Sequence, residues 1–282
     1  MNRRALVSAL VVGSILAPSV ASAAEPITKP IELRHDLKLE LPLLGALAAV
    51  TVGFRLVRDD MEPSHCRICE GKELNAVDRW FRDAMVRKDT QPAQVTSYVL
   101  AFGAAPLSGA ALTILAAVAD DRTEEWAVDL TAVAEGGFAA MLTTEVLESL
   151  TLRERPFFHA ITDPDQRQKE IAKTGAFHSF PAGHVVESFG VATAAGVVAS
   201  MRGYRLAPLV WLVGMGIGAA TAYTRIASDH HYFTDTLAGA AIGTVVGGAV
   251  PLIFHRPKPA HVPAIMAVPV PGGVNVSAGW TL

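Results

Sequence analysis

No charge interrupts Ser97–Ala119, and that fact limits the folds open to this chain. An apolar run of about 20 residues is long enough to cross a bilayer as a helix. Ala127–Leu150, Val185–Met201, Leu206–Tyr223 and Leu237–Phe254 are further largely apolar runs, and Leu41–Phe54 is a shorter one. The chain is 51% hydrophobic and 18% charged, with mean hydropathy +0.33. It is too apolar for an average soluble domain and points to membrane helices or a very apolar helical bundle. A formal net charge of −3 gives no reason to expect a nucleic acid partner.

Length favours one domain with appendages. Met1–Ala23 has the layout of a cleaved export signal: Arg3 and Arg4, apolar Ala5–Ala17, then Ala21-Ser22-Ala23. Residues 24–94 read as a lead-in with the first apolar helix and an amphipathic one, 95–256 as the helical core, and 257–282 as a Pro/Gly-rich tail. The tail is irregular or a short hairpin around Pro271-Gly272-Gly273. Cys66 and Cys69 are the only cysteines. They are too few for a zinc site and lack a thioredoxin-like setting, so a local disulfide is expected in an exported protein. Asn75–Arg87 has helical spacing with Val77, Trp80, Phe81 and Met85 on one side, suited to the bundle or to a membrane surface. Asp129, Glu135, Glu145 and Glu148 interrupt Ala127–Leu150. They either face a polar interior between membrane helices or form the solvated face of a soluble bundle.

The polar island Thr224–Asp235 lies between two apolar runs and holds Arg225, Asp229, His230, His231 and Asp235. His231 and Asp235 are four residues apart, so a helix starting near His231 puts both on one face. A carboxylate there can hold one imidazole nitrogen and leave the other aimed outward. Arg225 offers a planar fork suited to phosphate oxygens. Two more islands sit at helix edges: Arg153-Glu154-Arg155-Pro156 and Ser179-Phe180-Pro181-Ala182-Gly183-His184. Gly183 and His184 open an apolar run, where backbone N–H groups attract anions and glycine permits close approach.

Together the three islands resemble the signature of the type 2 phosphatidic acid phosphatase superfamily, which shares its fold with vanadium haloperoxidases. That pattern reads Lys, six residues, Arg-Pro; then Pro-Ser-Gly-His; then Ser-Arg, five residues, His, three residues, Asp. Arg155 and Pro156 match the first part, Pro181, Gly183 and His184 the second, and Arg225, His231 and Asp235 the third. Three positions depart from it: Glu148 stands where the lysine should be, Ala182 replaces the serine, and Thr224 precedes the arginine. Arg153 is a candidate replacement cation, and Lys169 or Lys173 could fold back from the following loop.

The resemblance implies an all-α bundle, embedded in a membrane, and metal-independent hydrolysis of a phosphomonoester or diphosphate without a cofactor. It makes a phosphorylated lipid or isoprenoid the expected substrate. His231 is then the nucleophile, Asp235 fixes its tautomer, and His184 handles the leaving-group proton. Arg155, Arg225 and the Gly183 backbone hold the phosphate oxygens, with Arg153 assisting. Vanadate-dependent haloperoxidation is a second reading, and headgroup binding without turnover a third, motivated by Glu148 and Ala182. The basic turns Arg202–Arg205 and His255–Lys258 lie at the helix ends away from the motifs, which by the positive-inside tendency turns the site outward. The expected location is the inner membrane with a periplasmic site, or the periplasm. A cleaved signal followed by three full spans would put Arg155 inside, so Leu41–Phe54, the shortest run, is expected not to cross.

Overall fold

The computed structural model describes residues 31–61, 65–69, 74–171, 175–257, 264–270 and 273–279, with backbone alone for 59–61 and the last two segments. The proposed export signal and Lys173 lie outside the described residues. Helices dominate: α1 (Leu37–Met61), α2 (Ala76–Met85), α3 (Gln91–Val99), α4 (Ala105–Ala119), α5 (Trp126–Thr151), α6 (Pro156–His159), α7 (Pro164–Ile171), α8 (Gly183–Arg202), α9 (Ala207–Ala227) and α10 (Phe233–Phe254). A π turn, Leu100–Ala104, makes α3 and α4 one continuous rod. The tail forms an antiparallel hairpin of β1 (Ala264–Val270) and β2 (Gly273–Gly279), with Ala264 opposite Gly279 and Val270 opposite Gly273.

Local signals explain the helix ends. α8 stops at Gly203, whose φ of 70° suits a residue without a side chain. α9 opens with Pro208 in its first turn, where the missing N–H costs nothing. α2 is capped by Asn75, whose side chain accepts from the Asp78 N–H.

Among the described residues six helical rods are long and apolar enough to cross a membrane: Leu37–Arg58, Gln91–Ala119, Thr123–Thr151, Gly183–Arg202, Ala207–Ala227 and Phe233–Phe254. Their burial is inside-out for a soluble protein. Leu107, Leu212, Val245 and Phe254 are exposed, while Arg202, Arg225, Glu145 and Asp235 are buried. That distribution suits a bundle in lipid, where charges turn inward and pair. It also settles the two readings of α5. Asp129 accepts from Arg202 and Tyr204, Glu135 pairs with His255, and Glu145 and Glu148 pair with arginines of α1. The carboxylates face a polar interior. The expectation that Leu41–Phe54 is too short to cross is corrected: the helix extends beyond the apolar run at both ends.

α8 is the hub, with 72% of its apolar window buried, whereas α1 has 6% buried and lies on the periphery. Glycines set how closely the hub is approached. A Cβ on Gly243 or Gly247 of α10 would run into the α8 backbone at Val186 and Gly190. Gly247→Ala is therefore expected to destabilise the bundle by about 1–3 kcal/mol, since backbone cannot yield as a side chain can. Gly216→Ala, with nothing within 4 Å, should be neutral or mildly stabilising, because alanine is the better helix former. Melting temperatures of the two variants in detergent check this.

Candidate active site

The three motif loops meet at one end of the bundle and are stitched together by main-chain bonds. The Ser179 N–H donates to the Arg153 carbonyl, Arg155 to Ala176, Phe157 to Asp229, and Ala182 to Asp235. α2 clamps this end from outside. Its Arg82 forms a two-pronged pair with Asp229 at 2.7 and 2.6 Å, and its buried Asp78 accepts from the Thr234 backbone and hydroxyl. The apolar spacing read from the sequence is real, but Val77 and Trp80 point outward and Asp78 points in. Phe81 stacks on Phe233 at 3.6 Å.

Behind the loops lies a cavity of about 50 Å³ whose lining includes Arg155, Gly183, His184, Arg225 and His231. A single water needs about 10–15 Å³ of such space, so a four-oxygen anion has room. Five of the seven residues singled out in the sequence are thus brought together. Gly183 begins α8 beside α5, and a Cβ there would stand 2.9 Å from Thr144 Cγ2 and 3.2 Å from Glu148 Oε1.

Two buried polar atoms of this group have no hydrogen-bond partner: His184 Nε2 and Arg225 Nε. Buried polar atoms are nearly always satisfied, so two orphans on one cavity point to a ligand. The His184 ring is held edge-on by Tyr98 and Phe102, at 4.6 and 4.9 Å between centroids. Both aromatic residues flank or lie within the π turn, a distortion often found at functional sites. Arg225 donates from Nη1 to Ser97 Oγ, and Arg155 donates from Nε to the His178 carbonyl. Burial lowers the pKa of Arg155 from its ordinary value.

His231 Nδ1 lies 2.7 Å from the Ser179 carbonyl oxygen. A carbonyl only accepts, so Nδ1 carries the proton and Nε2 keeps the lone pair. Burial first, then the charges of Arg225 and Arg155, hold the His231 pKa well below that of a free imidazole. The ring stays neutral. Neighbouring His230 is pushed down to about 3 by burial and the same two arginines, but it turns to the Ser228 carbonyl and is absent from the cavity lining.

Two expectations are corrected. Asp235 does not bond His231. Its carboxylate accepts from Ser179 Oγ at 2.6 Å, from the Tyr232 N–H at 2.9 Å and from Arg153 at 2.5 Å. It acts one residue removed, by fixing the serine whose carbonyl fixes the imidazole. Arg153 is not among the cavity-lining residues. Its guanidinium is taken up by Asp78, Asp235 and Thr234 and lies over the Tyr232 ring at 4.4 Å. Nor does Lys169 reach the site; it is exposed on α7. Asp235→Asn is expected to lower kcat about 10- to 100-fold with KM little changed, because small misplacement of a reacting group is costly while binding groups stay put. Steady-state kinetics on the purified variant check it.

Sequence reading missed Arg55, Arg58, Glu145 and Glu187, which also line the cavity together with Glu148. The available signal was a pair of arginines three apart closing one apolar helix and a pair of glutamates three apart closing another.

No curated protein and no solved structure matches the chain. Residues 129–259 match the model of the PAP2 superfamily, and all three motifs fall in this range. That segment of the chain, most of α5 with the loops and helices that follow it, is similar to the PAP2 superfamily.

Proposed function

We propose that this protein hydrolyses the phosphomonoester or diphosphate of a lipid through a phosphohistidine on His231. The similarity of residues 129–259 to the superfamily supports phosphatase-type activity. The observation that carries the finer reading is the convergence of His231, His184, Arg155 and Arg225 on one cavity, two of them with orphaned buried atoms. In the first step His231 Nε2 bonds to phosphorus and the ester oxygen leaves with a proton from His184. In the second, water attacks the phosphohistidine, His184 takes its proton, and inorganic phosphate departs. Arg155, Arg225 and the α8 N-terminus neutralise the equatorial oxygens, which is most of what phosphoryl transfer asks of a protein.

A lipid substrate is favoured by the surroundings. An apolar cavity of about 330 Å³ between α4, α5 and α8 shares Glu187 with the polar one, giving a hydrocarbon chain a place beside its headgroup. An orientation with the site on the oxidising side of the membrane is supported by the Cys66–Cys69 disulfide at this end, where the Arg67 N–H donates to the Leu152 carbonyl and Ile68 pairs with Arg153. With six crossings, Leu37 and the site lie on opposite faces. An outward site and a cleaved signal then exclude one another, and the outward site is the one with a structural feature behind it.

The test is phosphate release from micelles of phosphatidic acid, phosphatidylglycerophosphate and an isoprenyl diphosphate. Release that survives a chelator and is blocked by orthovanadate is expected. No release from any of them, with vanadate-dependent halide oxidation instead, would replace this reading by the peroxidase one. Vanadate binding without either activity would favour a headgroup-binding protein.

A further inference from the structure

We infer that Arg58, carried by α1, is a substrate-binding residue of this site and that Glu148 is the residue that positions it. The inference rests on the phosphatase reading and adds a cation from outside the segment that matches the superfamily.

Arg58 and Arg55 line the same cavity as His184, Arg225 and His231. Arg58 Nη1 lies 2.6 Å from Glu145 Oε2 and 2.5 Å from Glu148 Oε2, and its side chain is 9% exposed. Arg55 pairs with Glu145 at 2.8 Å, lies over the Phe102 ring and is 40% exposed. Glu148 is therefore not an anion aimed bare at an incoming phosphate. It is a tether that draws a guanidinium from a neighbouring helix to the position where its own side chain ends. Glu148 Oε1 lies beside Gly183 at the N-terminus of α8, so the tethered charge stands next to the backbone donors proposed for the anion.

The bland alternative is a buried ion pair that merely pins α1 to α5. Deleting Arg58 alone cannot separate the two roles, because it would strand the buried Glu148 carboxylate and risk unfolding. Two charge-matched doubles can. Arg58→Gln with Glu148→Gln removes both charges together and leaves Glu145 paired with Arg55. Arg58→Leu with Glu148→Lys moves the cation onto α5.

Each is compared with wild type for KM and kcat on a lipid phosphate, for orthovanadate affinity by calorimetry, and for melting temperature. The Gln/Gln double should keep kcat and melting temperature close to wild type while KM rises and vanadate affinity falls about 10- to 100-fold, the size of a lost charged hydrogen bond. The Leu/Lys double should recover most of that loss. Wild-type KM and vanadate affinity in the Gln/Gln double would overturn the inference and leave the phosphatase reading intact. Failure of the Leu/Lys double to outperform Gln/Gln in vanadate affinity would overturn it as well. A wild-type protein that neither releases phosphate nor binds vanadate would end both.

Discussion

His231→Ala is expected to lower phosphate release at least about 10⁴-fold, the scale seen when a covalent nucleophile is removed, without unfolding the protein. The side chain is buried, and the hydrogen bond it loses is the one from Nδ1 to the Ser179 carbonyl. Losing it costs about 1–3 kcal/mol for the stranded acceptor, less than a typical domain's margin. The decisive measurement is acid-quenched phosphoenzyme. Wild type given labelled substrate should carry phosphate on the protein, and His231→Ala should carry none. A labelled His231→Ala protein would move the nucleophile elsewhere, and full turnover would remove it from the mechanism.

His184→Ala is expected to slow turnover about 10²- to 10⁴-fold, the range of general acid–base catalysis, and to do so unequally across substrates. Its Nε2 is one of the orphaned atoms on the cavity, and in the proposed mechanism it gives a proton to the leaving oxygen and later takes one from water. A leaving group such as p-nitrophenolate needs no proton, so its departure should be nearly normal in the variant. The second step still lacks a base. Phosphohistidine should therefore accumulate with p-nitrophenyl phosphate but not with a lipid phosphate, for which the first step is also slow. Equal slowing for both substrates with no accumulation would remove His184 from proton transfer.

The two variants also separate roles that proximity alone confuses. His230 is adjacent in sequence to the proposed nucleophile and is similarly depressed in pKa. Yet it faces the Ser228 carbonyl and Phe157. Which of two neighbouring histidines enters the cavity depends on how the loop enters α10, and that loop is held by Arg82 and Asp78 of α2.

Much of this was legible in the chain itself. Apolar runs announced the helices, and the glycine after α8 and the proline opening α9 marked their ends. The spacing of Arg225, His231 and Asp235 is a local property, since a turn leading into a helix places those side chains within one short segment. His184 at a helix start and Arg155 before a proline were equally local. The direction of Asp235 was not. Four-residue spacing makes a contact with His231 geometrically available, but Ser179, 56 positions away, holds the carboxylate instead.

The sequence by itself determined which segments are helical, that they are long and apolar enough to cross a membrane, and which three loops resemble a phosphatase signature. Those follow from hydrophobic length and from residue types confined to a few positions. Only the tertiary structure decided that α1 joins the site, that Arg153 is spent behind it, and that a glutamate in the cavity holds an arginine rather than standing alone. Arg58 meets Glu145 and Glu148 across separations of 87 and 90 residues. Such pairings depend on the rotation and register of packed helices, and a one-dimensional pattern of apolar residues fixes neither.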